Sequence, residues 1–91
     1  MYKITNRQFS NALNLGVTIK PSTNKSKKID VFKNGKKIAS IGAMGYNDYD
    51  TYLNTEGKAF ADERRRLYKI RHKDNRNVKG TPGFFADRIL W

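Results

Sequence analysis

Two runs rich in β-branched and apolar residues, Ile29-Asp30-Val31-Phe32-Lys33 and Lys36-Lys37-Ile38-Ala39-Ser40-Ile41, flank the dipeptide Asn34-Gly35. Asn-Gly supplies the positive φ angles of a two-residue hairpin turn, so the pattern predicts two antiparallel strands. With that loop Val31 faces Ile38 and Ile29 faces Ser40. Upstream, Val17-Thr18-Ile19-Lys20 predicts a third strand, stopped by Pro21 and followed by a polar connector over residues 22–26. Together they form a small antiparallel meander of about residues 17–41.

The longest helical pattern follows. At 100° per residue Ala59, Phe60, Ala61, Leu67, Tyr68 and Ile70 gather on one broad arc, and Arg65, Arg66, Lys69, His72 and Lys73 fall opposite. Arg64 and Arg71 share a line inside the apolar arc, where an unpaired guanidinium is costly to bury. Either their heads reach water from the core edge, or Asp48, Asp50 or a carbonyl near Tyr46 holds them in a structural role. At the N-terminal side, Thr5 with Gln8 three residues on reads as a capping box for a short helix that ends at Gly16. Near the other end, Thr81-Pro82 opens a short helix whose Phe84, Phe85, Ile89 and Trp91 close the core. Between strand and central helix, Tyr46, Tyr49 and Tyr52 are spaced three apart and are expected to pack on one side, burial outweighing nucleobase stacking. The fold class is therefore α+β: a single small basic domain over residues 1–91, its meander packed against a central basic helix and a short C-terminal helix.

Charge changes this picture from a fold to a function. The chain has 91 residues, with Lys+Arg 19 against Asp+Glu 8 and a formal charge of +11. Such an imbalance attracts polyanions and opposes self-association. Five Phe and five Tyr separate it from a disordered basic tail, although hydrophobic residues make up only 37%. There is no cysteine, which excludes disulfides and thiolate metal sites. No apolar run approaches the roughly 20 residues that span a bilayer, and no signal-peptide core is present, so a soluble location without membrane contact is expected.

Candidate catalytic chemistry is sparse. His72 is the single histidine and stands between Arg71 and Lys73, which repel a metal. Asp48 and Asp50 lie near each other without the further ligands that metal-assisted phosphodiester chemistry needs. With no nucleotide-loop or serine-hydrolase motif either, the chain reads as a non-enzyme with no catalytic residue, metal or cofactor. The expected contact surface is Arg65, Arg66, Lys69 and Lys73 on the outer face of the helix, with Lys33, Lys36 and Lys37 on the hairpin as a second patch. Its partner is acidic, a phosphate backbone or an acidic protein surface. Lysines on a hairpin also serve simply to protect a sheet edge.

Several short motifs, Lys27-Lys28-Ile29-Asp30-Val31-Phe32, Gly45-Tyr46-Asn47-Asp48-Tyr49, Tyr68-x-x-Arg71-His72, Gly83-Phe84-Phe85 and Leu90-Trp91, carry a resemblance over about residues 20–91. The chain resembles a family of small basic proteins of unknown function encoded by large double-stranded DNA viruses. Residues 50–62 depart from that pattern, which has a His and an Asp in this region. The resemblance implies a viral accessory protein. The expectation is a minor structural component of the particle, associated with capsid protein or genome and located in the virion. The alternative is a free, sequence-nonspecific DNA- or RNA-binding protein in the host cytoplasm or nucleus. Asp48, Tyr68 and Trp91 are expected to act structurally.

Overall fold

The computed structural model describes residues 2–74 and 76–91. Its elements in order are α1 (Asn6–Asn14), β1 (Thr18–Pro21), β2 (Lys27–Lys33), β3 (Lys36–Ala43), α2 (Tyr49–Glu56), α3 (Lys58–Arg71) and α4 (Pro82–Phe85), which runs on into a π-helical segment, Ala86–Leu90. The fold is α+β, a three-stranded antiparallel sheet of order β1-β2-β3 with α1 and the C-terminal helical segment packed against it.

The hairpin turn sits on Asn34 and Gly35, with φ of 54° and 77°, and Lys33 pairs with Lys36. The register beyond differs from the one expected. Ile38 is an extra residue in β3, a bulge, so Val31 pairs with Ala39 and Ile29 with Ile41. Because a slip of one residue exchanges the two faces of a strand, the bulge is what brings Ala39 and Ile41 into the core beside Ile29 and Val31. Ile38 is left at the surface.

The sheet's apolar face is covered by α1 and the C-terminal segment. Val17, Ile19, Ile29, Val31, Ala39 and Ile41 pack with Ala12 from α1 and with Phe85, Ile89 and Leu90. Both helical ends match their sequence signals. Thr5 caps α1 in a reciprocal box with Gln8, and Thr81 accepts a hydrogen bond from the Phe84 N–H. Carbonyls at the end of the π-helical segment, which have no partner within the helix, accept from α1: Asn11 donates to Ile89 (3.3 Å) and Arg7 to Leu90 (3.1 Å).

The central helix does not cover the sheet as expected. Only Ala61 and Tyr68 of α3 are buried, while Phe60, Leu67 and Ile70 are 45%, 38% and 55% exposed. Arginines take the inward positions instead. Arg65 lies 3.8 Å from the centre of the Tyr49 ring and Arg64 5.3 Å from that of Tyr52. α3 therefore packs mainly on α2 through guanidinium–aromatic contacts, which tolerate a half-wet seam better than aliphatic packing does.

Candidate functional site

Behind the sheet end a cleft of about 470 Å³ opens between β2–β3, the start of α2, the second half of α3 and the C-terminal segment. Its floor is a buried ion pair. Lys28 Nζ donates to Asp48 Oδ2 at 3.1 Å, and both residues are nearly inaccessible. Asp48 also caps α2, accepting from the Thr51 N–H and hydroxyl at 3.0 Å each, and takes the Tyr2 hydroxyl at 2.5 Å. Burial pushes the Asp48 carboxyl up, but these hydrogen bonds and Lys28 outweigh it and hold it below its ordinary range. The Tyr2 phenol is raised by burial and by its bond to Asp48. Gln8 donates to the same phenol at 2.8 Å, so the cap of α1 and the cap of α2 belong to one network.

One wall of the cleft is aromatic. Trp91 stacks on Tyr68 with centroids 4.5 Å apart and an 11° tilt, and Tyr68 stacks on His72 at 4.3 Å. Tyr52 leans on Trp91 at 6.2 Å. Tyr46 stands at the rim, 76% exposed, so the expectation that the three tyrosines bury together holds for Tyr49 but not for Tyr46.

The cations divide into spent and free. Among the described residues, Lys27, Arg64 and Arg71 line the cleft and form no ion pair. Asp48, already saturated, is the Asp or Glu side chain that lines it among the described residues. The pairing expected of Arg64 and Arg71 with Asp48 or Asp50 is absent, because other groups occupy both acids: Arg7 donates to Asp50 at 2.6 Å and Thr5 also bonds it.

The expected outer array on α3 does not form either. Arg65 turns inward on Tyr49 and lies 3.8 Å from Asp62. Arg66 is tied to Glu63 by two hydrogen bonds, at 3.1 and 2.5 Å. Lys69 reaches the fully buried Asp87 at 2.9 Å, where Arg76 and Arg88 also converge. Lys73 alone of the four is exposed without an ion pair among the described residues. Placing residues at 100° intervals assigns faces by hydrophobicity, and it misplaces a helix that buries guanidinium stems on rings. On the hairpin, Lys33 and Lys36 are exposed and opposite each other, while Lys37 lies 3.9 Å from Asp30. Burial raises the Asp30 carboxyl, yet Ser22, Ser40, the Thr23 N–H and Lys37 together hold it below its usual range.

Lys27, Lys28, Tyr46, Tyr52 and His72 are among the cleft residues that sequence reasoning did not assign to a site. A signal existed. Gly-Tyr-x-Asp-Tyr, Tyr-x-x-Arg-His and Leu-Trp, far apart in the chain, all contribute residues to this one cleft. Among the described residues no group of His, Cys, Asp and Glu is arranged to hold a metal ion, and no helix is long and apolar enough to cross a membrane. Comparison with known families, curated proteins and solved structures finds no match for this chain.

Proposed function

We propose that this protein is a non-enzymatic binding module for nucleic acid, with the cleft as its principal contact and the hairpin tip as a second one. The observation that carries this reading is the cleft: Lys27, Arg64 and Arg71 stand free of carboxylates beside a Trp91–Tyr68–His72 stack. Most of the acids strengthen the bias. Of the eight, Asp30, Asp48, Asp50 and Asp87 are buried and Asp62 and Glu63 are paired, so Glu56 and Asp74 are the exposed acids outside an ion pair among the described residues on a surface whose net charge is +11. A phosphate backbone gains counterion release from such a surface, and its rings find an aromatic wall. An acidic capsid surface offers carboxylates without the flat rings. In the viral setting that the resemblance implies, this makes the protein a genome-associated component of the particle, acting in the virion or else in the host cytoplasm or nucleus.

Fluorescence anisotropy of a labelled oligonucleotide tests this. With three to five phosphates contacted, log K should fall linearly with log salt at a slope of roughly −2 to −4. Absence of binding at low salt refutes the nucleic-acid reading and leaves the acidic protein surface as the partner.

A further inference from the structure

Resting on that reading, we infer that the cleft seats an unpaired nucleotide of a single strand, its base against the aromatic wall and its phosphate on Arg64 and Arg71. A volume of about 470 Å³ falls in the range of small-molecule sites, wide enough for a nucleotide and far too narrow for a duplex. A base reaches such a wall only when it is out of a helix, since paired bases hide their faces in the stack.

The groups are prepared for this task. Arg64 is held over the Tyr52 ring at 5.3 Å and has no hydrogen-bond acceptor or carboxylate among the described residues, so its planar fork is oriented while its N–H groups stay available. That combination suits a bidentate phosphate contact. Arg71 lines the same cleft and is exposed. Asp48, which would repel a phosphate, is instead masked by Lys28, Tyr2 and Thr51. At the rim, Tyr46 is 76% exposed and stacks with no other ring among the described residues, leaving a free face for a base.

Trp91 is the single tryptophan, which makes the cleft wall its own fluorescent reporter. The full chain is titrated with oligothymidylate, with a duplex of equal length and with polyglutamate, following Trp91 emission together with anisotropy of a labelled probe. The single strand is expected to bind at least about tenfold tighter than the duplex and to change Trp91 emission, which the duplex leaves unaltered. Arg71→Gln and Tyr46→Ala, both at exposed positions, should each weaken single-strand binding by about fivefold or more with an unchanged melting curve. Lys33→Gln with Lys36→Gln should weaken single strand and duplex alike and preserve the emission change. Equal affinity for both forms with silent Trp91 overturns this inference but leaves the nucleic-acid reading standing; no binding of either form removes both. A response to polyglutamate equal to that with the oligonucleotide overturns the base-seating assignment in favour of an acidic peptide.

Discussion

Gly42 lies where β3 meets the cleft, with φ of +77°, and a Cβ there would come within 2.8 Å of Leu90 Cδ1, 3.0 Å of Lys28 Cδ and 3.2 Å of Lys28 Cβ. Neither neighbour yields easily. Leu90 is 2% exposed in the core, and Lys28 is pinned at its far end by Asp48 at 3.1 Å. Gly42→Ala therefore adds two costs: about 1–2 kcal/mol for a left-handed backbone at an L-residue and about 1–3 kcal/mol for overpacking, or about 2–5 kcal/mol together. Gly16 separates them, since its φ is +73° and a Cβ there meets nothing within 4 Å. Gly16→Ala should cost only the backbone part, about 1–2 kcal/mol. Urea denaturation of both variants at equal m-value measures the difference, and each kcal/mol should appear as roughly 4–8 °C in a thermal melt of a chain this size. Equal losses at the two positions would show that Leu90 and Lys28 move aside freely, and that the cleft floor is not rigid.

Arg65→Ala should destabilise by about 1–2 kcal/mol because its guanidinium packs on Tyr49, whereas exposed Arg71→Ala should stay within about 0.5 kcal/mol; denaturant midpoints in the reverse order would refute the inward assignment. Asp87→Asn should cost about 2–4 kcal/mol, as Lys69, Arg76 and Arg88 then surround a neutral amide, and Lys69→Met only about 1 kcal/mol because two cations remain; urea midpoints of the two variants check the ordering. The folded Asp30 and Asp48 carboxyls lie below their ordinary range, so their stabilisation is complete above about pH 5 and is lost as pH falls through the unfolded value toward the folded ones. The urea midpoint should accordingly drop on acidification, and more shallowly in Asp30→Asn; an identical pH profile would show that Asp30 contributes nothing to it.

What was legible in the sequence is what local chemistry decides. The Asn34-Gly35 turn, the Thr5–Gln8 box and the Thr81-Pro82 start each depend on a few neighbouring residues, and each stands where expected. The Ile38 bulge was not legible, because it follows from which face the whole sheet buries rather than from the turn. α3 was misread for a related reason. Its Phe60, Leu67 and Ile70 look like core residues, but the sheet is already covered by Ala12, Phe85, Ile89 and Leu90, elements distant in sequence that helical periodicity does not register. The cleft follows from that arrangement. Trp91 packs against the core as expected and also lines the cleft, whereas Arg71, which periodicity places on the apolar arc, is exposed, since nothing local indicates that the wall between them is open to solvent.

The seam where Asn11 and Arg7 hold the carbonyls of Ile89 and Leu90 also has a kinetic meaning. β1, β2 and β3 are neighbours in sequence and can zip by short loop closures, whereas the seam joins residues about 80 positions apart and must overcome a much larger closure entropy. Folding should therefore begin with the hairpins and end with the docking of α1 against the π-helical segment. In a chevron plot, Val31→Ala then slows refolding, while Asn11→Ala and Ile89→Val act mainly by hastening unfolding. On that order of events the lifetime of the native state, and with it that of the cleft, is expected to be set at this seam rather than in the sheet.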